Sequence, residues 1–159
     1  MVPKIDRVNE PAERVLQLTR VLNAPQRIVF KAWTEPAQVM RWWGPHGFKV
    51  ISCEMDVRAG GKWLLCMRGP DGADTWQHFT YREIVVPERL VFAYAFADAA
   101  GNTGHETLVT VTFADAAGRT NLTLHQAVFE SAAVRDDHNR GWGEALDHLA
   151  DYVMKMPRD

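Results

Sequence analysis

A chain of 159 residues with 47% hydrophobic and 24% charged residues has the length and composition of one folded core, which excludes a disordered or fibrous protein. A formal net charge of -2 supplies no field for nucleic acid. Two cysteines, Cys53 and Cys66, without Cys-x-x-Cys spacing, exclude a disulfide framework or a zinc ribbon and read as reduced thiols. Residues 1–13 (MVPKIDRVNEPAE) carry charges and two prolines where a secretory signal needs an apolar stretch, and the longest apolar runs are strand-length. The expectation is a loose tail over 1–13, one domain over 14–159, a cytoplasmic location and no membrane insertion.

In chain order, RVLQLTRVL (14–22) alternates apolar and polar residues as a strand with one buried face does. Ala24-Pro25 opens a helix, because proline's fixed φ and missing donor suit a first turn, and Thr34-Glu35-Pro36 breaks it. Pro36 restarts a second short helix that Gly44-Pro45 ends. From Phe48 to Gln126 six strands are separated by turns at Ala59-Gly60-Gly61, Pro70-Asp71-Gly72, Pro87-Glu88, Ala99 to Asn102 and Ala116-Ala117-Gly118. From Glu130 to Met156, Val134, His138, Trp142, Leu146, Leu149 and Val153 recur at intervals of three and four, the stripe of one long amphipathic helix. Gly141 and Gly143 inside it predict a bend or a close backbone approach near Trp142.

Turn chemistry predicts register, and register predicts which side chains share a face. A three-residue bulged loop at Ala59-Gly60-Gly61 pairs Met55 with Leu65 and Cys53 with Met67; a two-residue loop, which would pair Cys53 with Cys66, sets acids beside apolar side chains and is rejected. The Pro70-Asp71-Gly72 turn pairs Met67 with Thr75, Leu65 with Gln77 and Trp63 with Phe79. A two-residue turn at Pro87-Glu88 pairs Val85 with Leu90, Glu83 with Phe92, Tyr81 with Tyr94 and Phe79 with Phe96. The predicted inner face therefore carries Trp63, Leu65, Met67, Phe79, Tyr81, Val85, Leu90, Phe92, Tyr94 and Phe96, continued by Val109, Val111, Phe113, Leu122 and Leu124. Glu83 is the one acid predicted among these rings, with Trp76, His78, Arg82, Ile84 and Val91 turned outward.

Several strings now coincide in order: Ala24-Pro25, then Val29-Phe30-x-Ala-Trp33-Thr34-x-Pro36, Arg41-Trp42-Trp43-Gly44-Pro45, Asp56-Val57-Arg58-Ala59-Gly60-Gly61, Met67-Arg68-Gly69-Pro70-Asp71-Gly72, Tyr81-Arg82-Glu83-Ile84, Pro87 to Phe92, and Gly141-Trp142 to Leu149. Over about residues 14 to 155 the chain resembles the bacterial homologues of the activator of heat-shock protein 90 ATPase, within the START and birch-pollen-allergen-like (SRPBCC) superfamily. The resemblance implies an α+β helix-grip fold, a curved seven-stranded antiparallel sheet around the C-terminal helix with two short helices after the first strand, and a hydrophobic cavity between sheet and helix. It does not imply one activity, since relatives include lipid carriers, cyclases, antibiotic-sequestering proteins and the co-chaperone itself. The additional N-terminal domain of the eukaryotic activators has no counterpart in this sequence, which counts against the co-chaperone reading.

The inner face reads either as cavity wall or as filled core. Its candidate ligand-binding residues are Trp33, Met55, Trp63, Leu65, Met67, Phe79, Tyr81, Glu83, Phe92, Tyr94, Phe96, Val111, Phe113, His138 and Trp142. Glu83 is either a functional acid with a raised pKa or a carboxylate tied to Arg58 and the Gly60 and Gly61 amides. His138 is either a satisfied core residue or a proton-transfer partner of Glu83 or Tyr81. Of Trp42 and Trp43, one packs on the core and the other forms a cavity rim or partner surface, and outward Trp76, Ile84 and Val91 point to a homodimer. No three histidines have ligand spacing, and nucleophile-elbow, phosphate-loop and dinucleotide fingerprints are absent, so no metal or cofactor is expected. Three functions follow in order: binding of a small hydrophobic or aromatic molecule, regulation of a chaperone, and a cyclase or hydrolase that uses Glu83, His138 and Tyr81.

Overall fold

Seven strands form one antiparallel sheet, and the computed structural model describes residues 10–98 and 100–157. The strands are β1 (Leu16–Leu22), β2 (Lys49–Met55), β3 (Lys62–Arg68), β4 (Asp74–Val85), β5 (Arg89–Ala97), β6 (Thr107–Ala116) and β7 (Arg119–Ala127), in the spatial order β1-β7-β6-β5-β4-β3-β2. Two short helices, α1 (Gln26–Thr34) and α2 (Pro36–Trp42), leave β1, and the long α3 (Ala132–Met154) crosses the concave face. Ser131 starts α3 by accepting a hydrogen bond from the Val134 amide at 3.2 Å, the N-cap that frees an orphan donor from water. Of the tail expected over 1–13, residues 1–9 lie outside the described residues; Glu10 reaches His125 on the convex face at 3.1 Å, and Ala12–Arg14 form a 3-10 turn.

The inner face alternates as expected through β3, β6 and β7, and the β3–β4 register is the predicted one, Met67 with Thr75, Leu65 with Gln77 and Trp63 with Phe79. The β2–β3 pairing is not. Met55 pairs with Trp63 and Cys53 with Leu65, because the connection runs from Asp56 to Gly61 and is closed by Asp56 N to Lys62 O at 2.9 Å. A shift of two residues keeps the predicted face, and a bulge at Ile51 then sets Val50 against Met67. Glycine is required at 61, where a Cβ would run into the Asp56 carbonyl oxygen. Both cysteines are free thiols.

The β4–β5 hairpin corrects the prediction that matters most for function. Val85 pairs with Arg89, so the turn holds three residues and reverses the faces of the next pairs, Ile84 with Leu90 and Glu83 with Val91. A bulge at Arg82 reverses them back, and beyond it Tyr81 pairs with Phe92, Phe79 with Tyr94 and Gln77 with Phe96. The aromatic rings stay inside. Ile84, expected outside, packs on the core, whereas Glu83 and Val85 turn to the convex face.

Candidate functional site

Much of the concave face is solid. Trp33, Trp63, Leu65, Phe79, Tyr81, Phe92, Val111 and Phe113 are buried, and their rings pack edge-on or stacked, with Trp63 and Phe79 centroids 4.0 Å apart and Trp33 stacked on Trp142 at 5.8 Å. Such contacts add to area burial in the centre of the molecule. The packing stops short of the sheet's open end. There, α3 and the strap Trp43-Gly44-Pro45 stand off the ends of β3, β4 and β5, leaving a cleft of about 350 Å³.

The sheet contributes Met67, Gln77, Tyr94 and Phe96 to this cleft, α3 contributes Val134, Asp137, His138, Gly141, Trp142 and Ala145, and Glu130 stands just before the helix. The volume suits a small organic molecule, and the walls are chiefly aromatic and aliphatic. Phe96, 42% exposed, marks the mouth. The roof is clasped to α3 on its outer side: His46 N donates to Glu144 Oε1 at 3.0 Å, His148 Nδ1 donates to Gly44 O at 3.1 Å, and His46 Nδ1 meets His148 Nε2 at 2.8 Å. Because the carbonyl of Gly44 can only accept, His148 carries a proton on Nδ1. Gly141 in the middle of α3 faces this roof: a Cβ there would sit in ordinary contact with Pro45 Cγ, at 3.5 Å.

A chain of polar groups runs along the apolar wall. Trp43 Nε1 donates to Gln77 Oε1 at 2.9 Å, and Gln77 Nε2 donates to Tyr94 Oη at 2.8 Å. Tyr94 Oη lies 3.4 Å from His138 Nε2, and His138 Nδ1 lies 3.0 Å from Val134 O. The last contact sets the direction of all the others. A carbonyl accepts only, so His138 carries its proton on Nδ1, Nε2 is an acceptor, and the Tyr94 hydroxyl donates to it. Burial depresses the pKa of His138, against the Val134 carbonyl and the Asp137 and Glu130 carboxylates, and burial raises that of Tyr94. Both groups are therefore neutral near pH 7. Deeper down, Trp142 Nε1 donates to Gln126 Oε1 at 2.8 Å, and Gln126 in turn donates to Thr107 Oγ1 at 2.8 Å.

The family model described as "Activator of Hsp90 ATPase homolog 1-like protein" matches residues 23–154. The chain belongs to this family. Among solved structures it is similar to a protein from Arthrobacter aurescens (25% identity, 92% of this chain and 89% of that one, TM-score 0.81) and one from Chromobacterium violaceum (26%, 90% and 99%, 0.79). A family protein from Silicibacter pomeroyi shares the fold at 22% identity over 87% of this chain and 96% of that one, with a TM-score of 0.78. No functionally curated protein matches the sequence.

In this member of the activator-homologue family, five of the residues expected at a site meet at the cleft: Met67, Tyr94, Phe96, His138 and Trp142. Trp33, Trp63, Leu65, Phe79, Tyr81, Phe92, Val111 and Phe113 belong to the packed core behind it, and half-buried Met55 packs against that core from β2. Glu83 is not brought to the cleft. The hairpin places it on the convex face, where it accepts from Arg89 Nε at 2.7 Å, and neither Arg58 nor the glycine amides hold it. Arg58 instead pairs with Asp56, and Gly60 N donates to Tyr81 O. The trio Glu83, His138 and Tyr81 therefore does not assemble, and the hydroxyl partner of His138 is Tyr94.

Trp42 and Trp43 are both buried, the first donating to Ala32 O at 2.9 Å and the second forming the cleft roof. Sequence reasoning passed over Gln77, although its predicted pairing with Leu65 had already turned an amide toward the rings. Also not singled out for the site were Gly141 and Ala145, which follow His138 at helical spacing, Asp137 next to it and Glu130 just before the helix. Among the described residues no group of three histidine, cysteine or acidic side chains is arranged to hold a metal ion, and no helix is long and apolar enough to cross a membrane.

Proposed function

We propose that the cleft binds a small hydrophobic or aromatic molecule without covalent chemistry. The observation that carries this reading is a cleft of about 350 Å³ beside an otherwise filled core, walled by Trp43, Met67, Tyr94, Phe96 and Trp142. A core of this density closes voids wherever it can, because lining atoms without neighbours forfeit dispersion contacts. An apolar occupant would restore those contacts and remove the rings from water. Relatives that carry the same grip around a cavity give the reading its context, and membership in the family by itself names no ligand.

The test is a thermal-shift panel of small lipophiles on the native protein and on Gly141→Leu, paired with native mass spectrometry of the protein as purified. A leucine is a better helix former than glycine, and at this cleft-lining position its side chain starts 3.5 Å from Pro45 Cγ. Stabilisation of the native protein by apolar aromatics, lost in the variant, supports the reading. Equal shifts in both proteins, or none across the panel, overturn it.

The family description also motivates a chaperone partner, but of the tryptophans read as a partner surface Trp42 and Trp43 are buried, leaving Trp76 half-exposed on the convex face. A co-chaperone role predicts stimulation of the ATPase of a heat-shock protein 90 at micromolar concentration, and an unchanged rate ends it.

A further inference from the structure

Polar groups stand among the rings of the cleft wall, and most of their donors are already used. Every indole and imidazole N–H on its wall is already given away: Trp43 to Gln77, Trp142 to Gln126, and His138 Nδ1 to the Val134 carbonyl. Gln77 donates in turn to Tyr94. One amide N–H of Gln77 remains beside them, and the single lone pair of His138 Nε2 takes the Tyr94 hydroxyl at 3.4 Å. The oxygens of Tyr94 and Gln77 each accept a single hydrogen bond here, leaving a lone pair.

Charge points the same way. Glu130 and Asp137 line the cleft, and among the described residues no lysine or arginine does. Two cations stand near these carboxylates: Arg140 meets Asp137 at 2.8 Å from the solvent side, with its side chain 71% exposed, a surface pair of little strength, and Arg14 donates from Nη2 to the Glu130 backbone carbonyl at 2.9 Å. Both carboxylates make themselves felt inside, since each works to hold a proton on His138 against its burial.

We infer that the cleft selects an amphiphile with an apolar or aromatic body and a protonated amine head over the corresponding carboxylate. The body would sit against Trp142, Met67 and Phe96, and the ammonium would lie between Tyr94 Oη and the Glu130 and Asp137 carboxylates. Aromatic faces on the same wall add cation–π attraction for such a head. An anionic ligand would meet two like charges, no free indole or imidazole donor and one amide N–H of Gln77, so most of its head's hydration would go unreplaced.

This inference rests on the binding reading above, and one experiment separates the two. Phenylbutylamine, phenylbutanol and phenylbutyrate share a body and differ in the head, and their dissociation constants can be read near neutral pH and low salt from quenching of tryptophan fluorescence. The expected order is amine, then alcohol, then carboxylate, with about a tenfold gap or more between the two charged congeners. In a Glu130→Gln, Asp137→Asn double variant that still unfolds cooperatively, the ratio of amine to carboxylate affinity should fall at least about threefold. Binding of the alcohol with the carboxylate equal to or tighter than the amine overturns the charge preference and leaves the cleft as a binding site. An unchanged ratio in the double variant overturns it as well. Failure of all three congeners to bind overturns both.

Discussion

Tyr94 on β5 and His138 on α3 face each other at 3.4 Å, hydroxyl to Nε2, with their rings nearly perpendicular at 89° and centroids 5.7 Å apart. This contact joins the sheet to the helix that grips it. It also fixes the polarity of the cleft wall, because the Val134 carbonyl takes the other imidazole proton. The hydroxyl belongs to two partners at once, accepting from Gln77 and donating to His138.

Tyr94→Phe should therefore cost more than one weak hydrogen bond. It removes the acceptor of the buried Gln77 amide, and an unsatisfied buried polar group costs about 1 to 3 kcal/mol. Urea unfolding of the variant should show a loss in that range with an unchanged m-value. A loss of a few tenths would mean that water already satisfies Gln77.

Acid should weaken the fold through His138. Burial depresses its folded-state pKa below the ordinary 6.5, so the unfolded chain binds the proton more readily. The corresponding stability is complete above about 6.5 and is lost as pH falls from there through the folded-state value. Between about pH 7.5 and pH 5 the unfolding free energy of the native protein should fall more steeply than that of His138→Gln, which cannot titrate there. Parallel pH profiles would contradict this.

Glu83 should matter little to ligand binding. Its ion pair with Arg89 lies on the convex face at 2.7 Å, with side chains 22% and 26% exposed. Glu83→Gln should lower stability by about 1 kcal/mol or less and leave the affinity for phenylbutanol within error of the native value. A large loss of affinity would place the carboxylate in contact with the occupant.

Both thiols should be inert in the folded protein. Burial pushes Cys53 up to about 11 and raises Cys66, which has no exposed surface, so neither presents a thiolate near neutral pH. Ellman's reagent should release colour only at the rate of unfolding. A fast burst of one equivalent would show that the β2 edge opens.

The elements and the grip were written in periodicity: the two-residue alternation of 14–22, proline at the helix starts, and the stripe from Val134 to Val153 all lie where they were expected. The aromatic face survived errors of register because the β2–β3 error was an even number of residues, and an even shift keeps every side chain on its face. Glu83 was misplaced because two odd shifts, a three-residue turn and the Arg82 bulge, cancel everywhere except between them. Nothing local in Tyr81-Arg82-Glu83-Ile84 announces a bulge. The cleft was hidden for a different reason, since whether rings fill a concave face or leave a gap depends on the distance of α3 from the sheet. Here Trp43 and Pro45 set that distance by packing on Trp142 and over Gly141, contacts separated by about a hundred residues in sequence.

Whether the cleft takes an occupant is tested most directly by following the six indole N–H resonances during titration with phenylbutylamine. The account predicts saturable shifts of Trp43 and Trp142, with those of Trp33 and Trp63 moving little and all shifts abolished in Gly141→Leu. Unmoved Trp43 and Trp142 signals at saturating ligand, or changes confined to Trp76 on the convex face, would contradict it.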